Sequence, residues 1–275
     1  MLGYRSNYIW VNGLRTHYLE AGEANKETLV MIHDGGFGAS AEFSWSQSIE
    51  ALASGFHVYC PDITGFGKTE KVFNFEDPNG FRLRHLSQWM KALGLERSHF
   101  AGNSWGANTL LDMAAHQSEL FKIEKIIAIS PGYGSNAEVR RITTSYTPSK
   151  ENMQQLMKLF FHNKKWCNDP YLTNRFEATT GPGAWEAVAA ARFGPPGQEK
   201  GFKGSGMGTD YRRIRNRVLV IGGEADELAP PDVVKDIHEK IPSSEIHIFP
   251  RAKHCSHIEH SRDFNELALK FLASH

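Results

Sequence analysis

The chain has 275 residues, 40% of them hydrophobic and 23% charged, with 25 Gly and 12 Pro. These are globular proportions, and they exclude a disordered, collagen-like or low-complexity chain. Lys plus Arg and Asp plus Glu both number 31, so the formal charge is zero and the positive field that would hold a nucleic acid is missing. Cys60, Cys167 and Cys255 are far apart and odd in number. That excludes a disulfide framework or a Cys-x-x-Cys metal knuckle and fits a reducing cytoplasm. The N-terminal MLGYRSNYIW carries no apolar signal core. No run nears the roughly 18 apolar residues of a membrane helix, so no membrane partner is expected. A soluble cytoplasmic enzyme is the default expectation, against a soluble interaction domain.

Taken in chain order, residues 8–20 (YIWVNGLRTHYLE) predict a hairpin, with Asn12-Gly13 as its two-residue turn. Short apolar runs of the buried-strand type follow at 29–33, 57–62, 98–103, 123–130, 217–224 and 245–250. Helical spacing marks 84–93, 105–116 and 261–273, the last through FNELALKFL. Alternating strand and helix predicts an α/β fold with a mostly parallel sheet. Residues 133–208 break the rhythm. They hold no clear strand, a Met- and Phe-rich helical stretch at 153–161, and turn clusters at 181–183, 194–197 and 204–208. A plain crossover needs only about 10–12 residues, so this stretch is expected to be a helical lid over a core made of 1–132 and 209–275. Residues 153–161 suit either an apolar substrate pocket or the lid's own core.

The sharpest chemical signal is Gly102-Asn103-Ser104-Trp105-Gly106, between a strand and a helix. A nucleophile on a sharp strand-to-helix turn needs glycines two residues to either side, and the helix N-terminus favours developing negative charge. A serine nucleophile needs a base, and the base needs an orienting acid, in the chain order Ser, acid, His. Asp226 follows the strand at 217–224, and His254 follows the strand at 245–250. Glu224 and Glu227 compete as acids but read as solvated loop carboxylates. His257 and His260 compete as bases but fall at the start of the final helix. The oxyanion hole calls for two backbone N–H groups. Trp105 offers one, and the loop His33-Asp34-Gly35-Gly36-Phe37-Gly38 offers the other from Gly35 or Gly36.

Other patterns are weaker. Gly36-Phe37-Gly38 with Ala41, and an acidic Asp62 ending the next apolar run, faintly matches a dinucleotide fingerprint but leaves GNSWG unexplained. DITGFGKT (62–69) has Asp62 where a phosphate-binding loop requires its first glycine. His254, Cys255, His257, His260 and Asp263 cluster in sequence, yet their spacing is incomplete for a metal set, and no metal is expected.

These residues together resemble the α/β-hydrolase superfamily, and within it the meta-cleavage product hydrolases, which cut a carbon–carbon bond in ring-opened aromatic catabolites. HDGGFGAS is similar to their oxyanion stretch, PDITGFGKTE to the segment after it, GNSWGA to their nucleophile elbow, GGEADELAP to their acid loop and KHCSHIEHSRDFNELALKFL to their His segment. The resemblance implies an α/β-hydrolase fold with a helical cap after strand 6, a Ser104–Asp226–His254 triad, no cofactor, and a dimer or larger assembly. RFEATTGPGAWEA (175–187) is similar to the family's Arg-aromatic-x-Ala-Ser segment and places its substrate-handling arginine at Arg175. That guanidinium suits a substrate carboxylate or enolate, with a lid salt bridge as the alternative. Asn103, Phe37, Ser44 and Cys255 fall at the family's remaining substrate positions. Several of the family's usual residues differ: Lys253 stands for Gly before the catalytic His, Cys255 for Trp after it, Phe37 for the frequent Pro of the oxyanion stretch, and Ser44 for a polar Asn further on. The implied reaction ketonises and then hydrolyses a 2-hydroxy-6-oxo-hexa-2,4-dienoate. An ester or lactone hydrolase and a catalytically silent binding module are the alternatives.

Overall fold

The computed structural model describes residues 3–190 and 208–274 of the chain. The turn cluster at 194–197, and that at 204–208 except Gly208, lie outside them.

The strands are β1 (Arg5–Val11), β2 (Leu14–Ala21), β3 (Thr28–Ile32), β4 (His57–Pro61), β5 (Arg97–Asn103), β6 (Lys122–Ile129), β7 (Arg217–Gly223) and β8 (Ser244–Phe249). They form one sheet in the order β1-β2-β4-β3-β5-β6-β7-β8. β1 and β2 form the expected hairpin, with Asn12 at φ 49° and Gly13 at φ 79°, the two left-handed positions such a turn demands. β2 meets β4 antiparallel, and every later pairing is parallel.

The helices are α1 (Ala41–Trp45), α2 (Ile49–Leu52), α3 (Pro78–Ala92), α4 (Trp105–Ala115), α5 (Ala137–Thr144), α6 (Lys150–Phe160), α7 (Tyr171–Glu177), α8 (Ala184–Ala189), α9 (Pro231–Lys240), α10 (Ser256–Glu259) and α11 (Ser261–Ala273). The parallel strands read apolar on both faces because both are covered. Val30, Ile32, Phe100, Val218 and Val220 pack with Leu86, Trp89, Leu110 and Ile237 of α3, α4 and α9. The alternate residues Leu29, Met31, Ala101, Leu219 and Ile221 pack with Trp45, Ile49, Leu52, Phe264 and Phe271 of α1, α2 and α11.

α5 to α8 are inserted between β6 and β7. They have their own apolar cluster, in which Met153, Leu156, Met157, Phe160 and Phe161 pack with Val139, Tyr146 and Trp166. The Met- and Phe-rich stretch is thus the core of this helical layer. The cluster also takes in Phe37, Cys255 and Ile258, which ties the layer to the loops at the C-terminal ends of β3 and β8.

Candidate active site

The turn after β5 carries Ser104 at φ 55°, ψ −111°, a strained conformation for a residue with a Cβ. The flanking glycines are explained by close approach. A Cβ on Gly102 would lie 2.5 Å from the carbonyl carbon of Gly106, and one on Gly106 would lie 2.6 Å from the Ile32 carbonyl oxygen. The turn is held from below by Ser104 N–H donating to the Ile129 carbonyl at 2.8 Å. Ser104 is half-buried at the first turn of α4, whereas its neighbours Asn103 and Trp105 are buried.

Asp226 and His254 come together although 28 residues apart: His254 Nδ1 lies 2.9 Å from Asp226 Oδ2, and both are buried. The loops after β7 and β8 are stitched by backbone hydrogen bonds from Glu224 and Ala225 N–H to the Phe249 and Ala252 carbonyls. Asp226 Oδ1 accepts from the N–H groups of Leu228 (2.8 Å) and Ala229 (3.1 Å), which fixes the carboxylate. Phe160 from α6 stacks on the His254 ring at 5.9 Å. Burial pushes the His254 imidazole down in pKa, but the Asp226 charge and hydrogen bond, helped by Asp34, outweigh it, and the net shift is upward from 6.5. With His254 as the expected general base, which works unprotonated, activity should fall as pH drops through the raised value. The acidic limb of a kcat/KM profile is expected to have its midpoint above 6.5, and a midpoint below 6.5 would contradict this arrangement.

The rival groups are engaged elsewhere. His257 Nε2 lies 3.2 Å from the Ser44 carbonyl in a fully buried pocket that pushes its pKa down to about 3. His260 stacks on Phe249. Glu227 pairs with Lys253 and Glu224 accepts from Arg251 N–H. Asp62, the acidic residue of the dinucleotide alternative, meets His17 Nδ1 and the N–H groups of Ala41 and Lys68, each at 2.7 Å. It has a structural task there and is turned inward, buried. Among the described residues no three His, Cys, Asp or Glu side chains gather as a metal site.

The loop after β3 separates the two candidate donors. Gly35 sits against Trp105, where an added Cβ would lie 2.9 Å from the Trp105 Cβ, so this glycine adjoins the residue after the serine. Gly36 N–H instead donates to Asp34 Oδ1 at 2.8 Å. Its donor is thus occupied within the loop, which of the two candidates, Gly35 or Gly36, leaves Gly35 as the one for the second oxyanion donor.

The same Asp34 captures Arg175. Arg175 Nη2 lies 2.9 Å from Asp34 Oδ1 and Nη1 3.4 Å from Oδ2, while Nε donates to the Phe37 carbonyl at 2.9 Å. The guanidinium is fully buried between the rings of Phe43 (4.4 Å) and Phe160 (4.6 Å). Burial pushes the Asp34 carboxyl up, but the Arg175 charge and hydrogen bonds prevail and hold it at about 2. Of the two contacts expected for Arg175, a substrate carboxylate or enolate and a lid salt bridge, the salt bridge to Asp34 is the one the chain itself supplies. Asp34 carries no emphasis in the sequence; its only signal was an acid inside a glycine-rich loop.

The other expected substrate positions surround this point. Phe37 stacks on Tyr146 at 4.5 Å. Asn103 Nδ2 donates to the His254 carbonyl (3.2 Å) and the Ile129 carbonyl (3.4 Å), and its Oδ1 accepts from the Cys255 thiol. Asn103 thereby links the serine turn to the histidine loop. The Ser44 hydroxyl is buried with no partner among the described residues.

A sheet of this order, a strained serine between two obligatory glycines and a buried Asp–His pair define a class. The chain belongs to the alpha/beta hydrolase family, whose profile matches residues 29–267. It is 30% identical over 218 residues to the 2-hydroxymuconate semialdehyde hydrolase of Pseudomonas putida, covering 78% of this chain and 76% of that protein. It is 27% identical to the 2-hydroxy-6-oxo-6-phenylhexa-2,4-dienoate hydrolase of Burkholderia cepacia, covering 96% and 93%. Its fold is similar to the meta-cleavage product hydrolase of Pseudomonas fluorescens, solved as a Ser-to-Ala variant complexed with acetates, with a TM-score of 0.85, 27% identity and 97% of each chain covered. No helix among the described residues is long and apolar enough to cross a membrane.

Proposed function

We propose that this chain is a cofactor-free serine hydrolase that cleaves a carbon–carbon bond in a meta-ring-cleavage product of the 2-hydroxy-6-oxo-hexa-2,4-dienoate type. The observation that carries the reading is the buried His254–Asp226 pair, in a chain that aligns along nearly its whole length with hydrolases of such dienoates. Ketonisation of the dienol places a CH2 beside the 6-carbonyl. Ser104, or a water it holds, attacks that carbonyl, and His254 takes the proton. The developing oxyanion is held by the N–H groups of Trp105 and Gly35. The C5–C6 bond then breaks, and its electron pair delocalises into a conjugated dienolate whose C2 oxygen takes the proton from the His254 imidazolium, giving the 2-hydroxydienoate. The elements of water are completed in the carboxylic acid from the other half. Asp226 keeps the proton on His254 Nδ1 throughout.

The family resemblance supports a cytoplasmic enzyme that assembles into a dimer or larger. The edge strand β1 leaves Trp10 68% exposed, which agrees with such an assembly. The second reading, an ester or lactone hydrolase with the same triad, is favoured by Lys253 and Cys255 flanking His254 and by the capture of Arg175. The test is the visible absorbance of 2-hydroxy-6-oxo-6-phenylhexa-2,4-dienoate, with p-nitrophenyl acetate beside it. Wild type should bleach the dienoate, and Ser104→Ala should slow the complete reaction by about 10³-fold or more. Cleavage of the ester alone would transfer the assignment to the second reading.

A further inference from the structure

A second Ser–His–Asp relay lies outside the site described above, on the β1–β2 hairpin. Ser6 Oγ of β1 lies 2.8 Å from His17 Nε2 of β2, and His17 Nδ1 lies 2.7 Å from Asp62 Oδ2. Ser6 is exposed, whereas His17 and Asp62 are buried. Asp62 is the acid of the dinucleotide-like pattern, which the fold uses instead to hold this histidine. Burial pushes its carboxyl up in pKa, but the His17 hydrogen bond, the neighbouring imidazoles and the Lys68 N–H prevail and hold it below 3.8. It is therefore ionised at neutral pH and can only accept. His17 Nδ1 must carry its proton toward that carboxylate, which leaves Nε2 of the neutral ring as an acceptor. The Ser6 hydroxyl consequently donates to Nε2. This is the donor order of a nucleophile–base–acid relay, and both links fall within the about 2.6–3.2 Å it requires.

The relay is held on every side. Asp62 Oδ1 accepts from Ala41 N–H and Oδ2 also from Lys68 N–H, each at 2.7 Å. The His17 N–H donates to Thr69 Oγ1 and its carbonyl accepts from Asp62 N–H, both at 2.9 Å. The Tyr8 ring covers the imidazole at 5.0 Å. The backbone supplies one further part. The two-residue turn closes at Val11 and Leu14, hydrogen-bonded pairs alternate from there, and Ser6 opposite Leu19 falls in a pair that exchanges none. Its N–H therefore points away from β2 at the sheet edge. A nucleophile's own N–H is one of the two oxyanion donors in a serine triad.

We propose that Ser6 is a second nucleophile of this chain, which takes an acyl group from an activated aryl ester and keeps it. Ser6 Oγ bonds to the ester's carbonyl carbon, and its proton passes to His17 Nε2. The bond from that carbon to the aryl oxygen breaks, and the departing phenolate takes the proton from His17. Nothing is oxidised or reduced. Phenolate leaves readily, since a phenol ionises near pKa 10, roughly the value of tyrosine. Hydrolysis of the product would expel the serine alkoxide, a far poorer leaving group, with one oxyanion donor in place of two. Ser6 is therefore a site of modification, loaded once per chain. This reactivity is independent of the chemistry at Ser104.

The test uses Ser104→Ala, which silences the main site, with p-nitrophenyl acetate. p-Nitrophenolate should appear as a burst of about one equivalent per chain and then nearly stop. Peptide mass spectrometry should find the acetyl group on Ser6. Ser6 should acquire it about 10²-fold or more faster than Ser54, an exposed serine whose hydroxyl donates to the Ala51 carbonyl and not to an imidazole. Adding Ser6→Ala, a change on an exposed strand position, should remove the burst. In the otherwise unaltered enzyme it should leave turnover of the phenyl dienoate unchanged. His17→Asn puts an amide NH2 where Nδ1–H faces Asp62 and removes the base, so the folded variant should label Ser6 no faster than Ser54. No acetyl group on Ser6, labelling no faster than at Ser54 with His17 intact, a burst that survives Ser6→Ala, or full-rate labelling in a folded His17→Asn would each overturn the proposal. A Ser6-dependent burst in a chain that does not bleach the dienoate would sink the carbon–carbon assignment and leave the second nucleophile standing.

Discussion

Asp226→Asn should lower kcat by about 10⁴-fold while leaving the fold intact, the loss a triad suffers when its base is held in the wrong tautomer. The reason lies in the partners of the two carboxylate oxygens. Oδ1 accepts from two backbone N–H groups, those of Leu228 and Ala229, and only Oδ2 faces His254. An asparagine must leave its oxygen toward those two donors, because turning its NH2 group there would oppose both N–H groups in a buried site. Its NH2 therefore faces His254 Nδ1 and donates to it. The imidazole then carries its proton on Nε2, the nitrogen that in the proposed mechanism accepts the proton of Ser104, and the base is disabled although every side chain keeps its place. The side chain is isosteric and its backbone bonds survive, so thermal unfolding should shift by only a few degrees. The acidic limb attributed to His254 should also move down, because the charge that raises its pKa is gone. A loss in kcat below tenfold in a folded variant would show that Asp226 does not orient the base.

Much of this arrangement is legible in the sequence because it rests on local rules. The Asn12-Gly13 turn, the doubly apolar strands and the glycines around Ser104 each express a steric or periodic constraint confined to a few neighbouring residues. The pairing of Asp226 with His254 follows from chain order, since both stand at ends of strands that lie side by side in the sheet. α1, α2 and α9 are not marked by the same reading: the first two are short, and α9 buries only Val234 and Ile237. What stays hidden are charges whose meaning depends on long-range contact. Asp34 and Arg175 are 141 residues apart, and only folding of α7 over the β3 loop turns an acid in a glycine-rich stretch into the partner of the cap's arginine. Arg82 likewise reads as one more polar residue of a helix, until Phe66 and Phe73 of the loop after β4 and Trp105 of α4 are seen around it.

The Asp34–Arg175 pair should be the most sensitive point for stability. Removing one member of a buried ion pair strands the other in a low-dielectric interior, so Arg175→Ala should cost about 3–5 kcal/mol in urea unfolding at pH 7. The cost has three parts that the structure separates: the uncompensated Asp34 carboxylate, the Phe37 carbonyl that loses its donor, and the space between Phe43 and Phe160. Asp34→Asn/Arg175→Met removes both charges and fills that space with a chain of similar length. It should therefore recover most of the loss, and the two changes should be strongly non-additive. The pH dependence gives an independent check. Asp34 has its folded pKa depressed from 3.8 to about 2, so its contribution is fully present above about pH 4 and is lost as pH falls toward 2. In Arg175→Ala the stranded carboxyl takes up a proton more readily. The deficit relative to wild type should accordingly narrow as pH drops from 7 toward 4, opposite to the behaviour of a variant that has lost packing alone. A deficit independent of pH would mean that the buried arginine serves as a spacer between rings and that its charge is immaterial. Because the same carboxylate holds Gly36 N–H and the arginine holds the Phe37 carbonyl, loss of the pair also frees the loop that carries Gly35. The charge-free double variant should then regain stability without regaining the full kcat, since its neutral side chains restore the packing but not the three hydrogen bonds of Arg175 that set the position of the proposed oxyanion donor.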